Sequence, residues 1–146
     1  MSSSIPSDRR TRWKVLIVED ELIVAYDLAG KLRTAGFGVL GPVATVEDAL
    51  AYLRSTARRP DIVLLGVALG DGWSTPVAET LCSRGIPYVV TTGYDREELL
   101  EPVLQDAPYL PKPVSAAKLS FVISGIAGRA RCDPAVLARP AGHSTV

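Results

Sequence analysis

A doubly wound α/β fold, with five parallel strands in the order 2-1-3-4-5, is what this 146-residue sequence predicts. Three observations carry the prediction. Short apolar runs alternate with helical patterns along most of the chain. The central runs are apolar throughout, as strands buried on both faces must be. Right-handed crossovers then leave few ways of connecting the units.

The elements follow in order. KVLIV (14–18) is a short, β-branched apolar strand. Asp20 is placed to cap a helix, with Leu22, Ala25, Leu28, Leu32 and Ala35 at helical spacing and Gly36 closing it. FGVLGPV (37–43) is a second strand, interrupted by Gly41-Pro42. Thr45 caps a helix to about Arg58, with Val46, Ala49, Leu50 and Leu53 inward. DIVLL (61–65) is the third strand, and a Gly-rich loop leads to a helix with Pro76 in its first turn, ending near Arg84. PYVVTT is the fourth strand and REELLEPVL a short helix. PYLPKP holds a brief fifth strand, and SAAKLSFVISGIAG is the last helix, with Leu119, Val122, Ile123 and Ile126 inward. One domain over 13–127 is expected, between flexible segments at 1–12 and 128–146.

Composition narrows the function. Apolar residues make up 47% and charged residues 22%, with 16 Lys plus Arg against 16 Asp plus Glu. Such a balance gives no general electrostatic reason to expect nucleic acid or an anionic membrane as partner. Cys82 and Cys132 lack metal-site spacing, and the single histidine, His143, lies near the end, which argues against a His-based triad or a His-rich metal site. No apolar run approaches the ~20 residues of a membrane helix, and the start lacks a signal-peptide core, so a cytoplasmic protein is expected. GFGVLG (36–41) matches a dinucleotide fingerprint in letters only: its glycines end a helix and enter a strand, the reverse of the required context.

In a doubly wound sheet, ligands bind beyond the carboxyl ends of the strands. There the sequence places Glu19 and Asp20 after strand one, Gly66 after strand three, Thr91 and Thr92 ending strand four, and Lys112 after strand five. Carboxylates suit a hard cation such as Mg²⁺, and a lysine and a hydroxyl suit a phosphoryl oxygen. A nucleophile to carry the phosphoryl group is missing.

VLIVEDE (15–21), PDIVLL (60–65), VVTTGYD (89–95) and YLPKPV (109–114) together resemble the receiver domain of bacterial two-component response regulators, over Lys14 to Ile126. That resemblance implies the flavodoxin-like fold just derived. It implies a Mg²⁺-binding acidic pair at Glu19 and Asp20, with the Ala68 carbonyl as a further oxygen. It implies a phosphoryl-sensing Thr92, a switch aromatic at Tyr109 and a conserved-role lysine at Lys112. VTTGYD is also similar to the FATGUY motif of a subgroup with many single-domain members, with Val90 and Thr91 departing from its aromatic and alanine. The family's phospho-acceptor aspartate maps to Gly66.

Glycine forms no aspartyl phosphate. A site of Glu19 and Asp20 alone is expected to hold Mg²⁺ weakly. At ~4 Å and a surface-like dielectric, one carboxylate pair costs about 4 kcal/mol before relaxation and screening, so losing a third acid relieves the cleft. Lys112 is then free to pair with Glu19 or Asp20. Trp73, on the Gly-flanked loop, covers the cleft, contacts a partner or packs locally. The expectation is a receiver, not an enzyme, that works by protein–protein interaction with a histidine kinase or another signalling protein. Its docking surfaces would be the first helix and the face of the fourth helix, fifth strand and last helix, the last of these also serving a homodimer. With about 20 residues after the last helix, no DNA-binding effector is expected. The alternative is a phosphoryl-accepting receiver that uses Asp71, Asp20 or Glu19, or a variant of a regulator with aspartate at position 66. A phosphatase of related topology ranks third, since it too needs the strand-end aspartate.

Overall fold

The computed structural model describes residues 13–55 and 59–132, with side chains through Gly128. Five parallel strands, β1 (Lys14–Val18), β2 (Gly38–Val43), β3 (Ile62–Gly66), β4 (Tyr88–Thr92) and β5 (Tyr109–Pro111), pair in the order β2-β1-β3-β4-β5. The helices are α1 (Leu22–Thr34), α2 (Val46–Arg54), α3 (Thr75–Arg84), α4 (Pro102–Gln105) and α5 (Ala116–Cys132). The expected order is the observed one.

Alternation along the strands builds two separate cores. Leu16, Val18, Val63, Leu65 and Val90 pack on one face against Ala49 and Leu53 of α2, Val77 and Leu81 of α3 and Leu104 of α4. Val15, Ile17, Ile62, Leu64, Val89 and Leu110 pack on the other against Ala25, Leu28 and Leu32 of α1 and Leu119, Ile123 and Ile126 of α5. Hence β1 and β3 read as unbroken apolar runs: each successive residue serves a different core. Burial of each Leu or Ile contributes about 1.5–3 kcal/mol relative to exposure.

Several local expectations hold at atomic detail. Thr45 accepts the Asp48 N–H at 3.0 Å as the cap of α2. Gly36 follows α1 with a left-handed backbone, and the Gly36 and Phe37 N–H groups return to the carbonyls of Arg33 and Leu32. Gly41, also left-handed, sits where the β1–β2 register shifts between Leu16 and Val18. Lys31 of α1 reaches Asp27 at 2.6 Å and the Val114 carbonyl at 2.7 Å, tying the helix to the start of the segment that leads into α5.

Other expectations need correction. Asp20 does not cap α1. Glu21 precedes its first turn without a side-chain cap bond, and the Glu19 carboxylate takes the Glu21 N–H at 3.1 Å. Leu22 is 59% exposed rather than inward, because the first turn of α1 begins directly at the carboxyl edge of the sheet, beyond the strands it covers. The end of α2 is Arg54 rather than about Arg58. REELLEPVL is not one helix: a 3₁₀ turn at Arg96–Glu98 is separated from α4, which starts at Pro102. The proline ring disfavours helical backbone at Glu101. The Gly-rich loop contains a small hairpin, Ala68–Leu69 against Gly72–Trp73. The last helix continues past Ala127 to Cys132. Of the segments expected to be flexible, 1–12 and 128–146, residues 128–132 are helical and the rest lie outside the described residues. Among the described residues, no helix is long and apolar enough to cross a membrane.

Candidate functional site

The ends of β1, β3, β4 and β5 converge on one cleft. Glu19, directly after β1, donates its N–H to the Val43 carbonyl at 2.9 Å and is 2% exposed. On the far side, the Lys112 N–H bonds the Thr92 carbonyl at 2.9 Å, which fixes the backbone from which the lysine reaches inward. Its ammonium lies 2.9 Å from Glu19 Oε1 and 3.4 Å from Glu21 Oε1. Pairing with Glu19 was expected; the second partner is Glu21 rather than Asp20. Glu21 is the site residue that sequence reasoning passed over, although the third acid of VLIVEDE was its signal.

Gly66 ends β3, fully inside the sheet and opposite Thr91 of β4. Its backbone is not left-handed, so the chain conformation does not demand glycine there. The surroundings do resist a side chain. A Cβ at this position would lie 3.1 Å from the Val18 carbonyl oxygen, 3.3 Å from Glu19 Oε1 and 3.6 Å from Leu69 Cδ2. The carboxylate of Glu19 thus stands beside the place where an aspartate side chain would begin.

Carboxylate oxygens of Glu19, Asp20 and Glu21 lie within 4.8 Å of one another. They are hard donors of the kind Mg²⁺ takes. A cation entering there meets the Lys112 ammonium already on Glu19, and Gly66 offers it no side-chain oxygen. Ala68 opens the hairpin, paired with Trp73. Asp71 is committed elsewhere: its carboxylate accepts the N–H groups of Val46 at 2.7 Å and Glu47 at 3.1 Å, capping α2 from a distant loop. The Val46 N–H, the largest influence, holds its carboxyl below the ordinary carboxylate range against the opposing effect of desolvation, with the Glu47 N–H adding a lesser lowering.

The β4–β5 side is ordered by hydrogen bonds. Thr92, 2% exposed, accepts the Tyr94 N–H on its hydroxyl at 2.9 Å, which leaves its own proton free to donate. Tyr109 is half-buried, and its hydroxyl donates to the Tyr94 carbonyl at 3.3 Å. The Arg96 guanidinium lies 4.7 Å from the centre of the Tyr109 ring. Trp73 stacks on Tyr94 with ring centres 5.8 Å apart and planes at 23°. Tyr94 has no role predicted from sequence; its position two residues beyond Thr92 is the available signal.

A cleft of acids, hydroxyl and lysine thus lies beyond the carboxyl ends of the strands, where a doubly wound sheet binds its ligands. Comparison with known proteins makes the assignment specific. No family model matches the chain. The phyllosphere-induced regulator PhyR of Methylorubrum extorquens is 31% identical over 113 residues, spanning 76% of this chain and 42% of PhyR. The solution structure of SdrG from Sphingomonas melonis is 34% identical, with a TM-score of 0.66, covering 77% of this chain and 93% of SdrG. The receiver domain of the Erythrobacter litoralis PhyR response regulator shares the fold, with a TM-score of 0.68 at 24% identity, covering 77% of this chain and 88% of that domain. The chain belongs to the receiver-domain family of two-component response regulators. It spans about half the length of the curated relatives it matches.

Proposed function

We propose that this receiver signals through protein contacts and carries no phosphoryl group at the end of β3. One observation carries the reading: the acceptor position is Gly66, and the space beside it is held by Glu19, itself paired with Lys112. A phosphoryl group needs a nucleophile in line with the hydroxyl and the ammonium, and glycine supplies none. The Asp71 carboxylate is bonded to the start of α2, which weighs against it as a substitute.

Mg²⁺ binding is weak in this reading, since a cation must compete with Lys112 for Glu19. Glu19 and Asp20, with Glu21, remain the residues that would hold it. The protein is a cytoplasmic regulator rather than an enzyme, and its partner is a histidine kinase or another signalling protein. The outward residues Ile23 and Tyr26 on α1 suit such a contact, and Phe121 on α5 suits a homodimer through that helix. A Phe121→Asp variant that sediments like the parent would exclude the dimer.

The test is incubation with acetyl phosphate and Mg²⁺ followed by intact-mass measurement. The parent is expected to keep its mass, and Gly66→Asp to gain one phosphoryl group. A phosphoryl gain on the parent overturns the proposal.

A further inference from the structure

We propose that Trp73 is a positioning residue for the Thr92–Tyr109 pair, closing a latch across the mouth of the cleft where a phosphoryl group would otherwise act. The inference rests on reading Thr92 and Tyr109 as the switch residues of this receiver.

The hairpin that carries Trp73 is held firmly from behind. Asp71 at its tip bonds two N–H groups at the start of α2, and the Ser74 N–H, just after the hairpin, returns to the Val67 carbonyl at 2.8 Å. From this base the indole lies against the ring of Tyr94. Tyr94 belongs to the loop after β4, where Gly93 adds no side chain to restrict the turn. Both polar groups of the Tyr94 backbone are engaged by the switch pair: its N–H by Thr92 Oγ1, its carbonyl by the Tyr109 hydroxyl. Beyond Tyr109, Arg96 covers the ring and bonds the carbonyls of Gln105 and Ala107. One continuous series of contacts therefore runs from α2, through hairpin and aromatic pair, to the edge strand β5.

Trp73 and Tyr94 remain 44% and 42% exposed. They are not core residues whose burial the fold needs; their contact is one that the cleft mouth makes or breaks. With the stack closed, the loop from Gly93 to Asp95 has one position, and so do the Thr92 hydroxyl and the Tyr109 ring. A partner that draws Trp73 away releases that loop without any phosphoryl chemistry.

Amide hydrogen exchange at Tyr94 tests this, because that N–H is the one bonded to Thr92. Trp73→Ala is expected to accelerate its exchange roughly 2- to 12-fold, the factor matching the coupling of an aromatic pair. The amides of Leu16 and Leu64, deep in the sheet, keep their rates, and the Tyr109 ring resonances shift. Trp73→Phe, which retains a stacking ring, restores most of the protection. Tyr94→Leu, which leaves every anchor of the hairpin intact, shifts the Trp73 emission when read in a Trp13→Phe background. An unchanged Tyr94 amide in Trp73→Ala, or one that accelerates in step with Leu16 and Leu64, overturns the latch. Phosphoryl uptake by the parent would defeat the proposed function and leave these exchange results as they are.

Discussion

On the β1–β3 side of the cleft, a buried carboxylate meets a lysine ammonium at 2.9 Å beside a strand end that has no side chain. On the β4–β5 side, a hydroxyl, two tyrosines and an arginine are joined by hydrogen bonds and ring contacts that need no ligand. The first wall is where a receiver performs chemistry, and here an ion pair fills it. The second is the side that the proposed reading assigns to sensing, and its parts are connected. The contrast teaches that the two walls are held independently: the β4–β5 wall keeps its own hydrogen bonds and ring contacts, Arg96 over Tyr109 included, and none of them involves the Glu19–Lys112 pair.

The largest expected effect comes from breaking the ion pair that fills the first wall. Lys112→Met strands the Glu19 carboxylate at 2% exposure, and removing one partner of a buried pair costs about 3 kcal/mol. Urea denaturation should show that loss, and adding Glu19→Gln should recover most of it. Recovery of nothing would mean that Lys112 acts through some other contact.

Gly66→Asp comes next, and it asks whether the first wall can be rebuilt. The new side chain must displace Glu19 Oε1, 3.3 Å from its Cβ, and press on the Val18 carbonyl. Overpacking of this kind costs about 1–3 kcal/mol without metal. Mg²⁺ should then raise the melting temperature of Gly66→Asp saturably and that of the parent hardly at all. Equal Mg²⁺ responses would show that the carboxylate at 66 adds nothing to the cation site.

A smaller effect serves as a control remote from both walls. Tyr88, at the start of β4, donates its hydroxyl to the Val103 carbonyl at 2.6 Å, and burial pushes the phenol pKa well up. Tyr88→Phe leaves that carbonyl without its donor and should lower stability by about 1 kcal/mol, measured by denaturant unfolding. The Glu19–Lys112 wall should be unaffected, so Mg²⁺ titrations of the two proteins should coincide.

The smallest effect concerns the hairpin between the walls. The carboxyl of Asp71 is held low by the N–H groups of α2. Its contribution is therefore present above the unfolded-state carboxylate pKa of about 3.9 and is lost as pH falls through the lower folded value. Asp71→Ala should melt earlier than the parent at neutral pH, with the gap closing below about pH 4. A gap that persists into strong acid would assign the effect to the hairpin backbone rather than to the charge.

The fold was legible because its signals are local and repeated. The apolar runs of β1 after Lys14 and of β3, Thr45 before α2 and Gly36 after α1 each announce their element from a few adjacent residues. The site was half legible. Strand ends placed Glu19, Gly66, Thr92 and Lys112 around one cleft without any distance being known. What sequence did not reveal were choices made between distant segments. Asp71 caps a helix 25 positions earlier, and no local pattern links the two. Lys112 takes Glu21 rather than Asp20 as its second partner, a choice across 91 positions that no local pattern announces. The broken helix at Glu101-Pro102 was written locally, in the proline, and was overridden by the apolar spacing around it.

Lys31 has a mechanical consequence. By bridging Asp27 on its own helix to the Val114 carbonyl, it fastens α1 to the segment that carries Lys112 just upstream. A displacement of α1 would therefore strain the backbone two residues from the lysine that rests on Glu19.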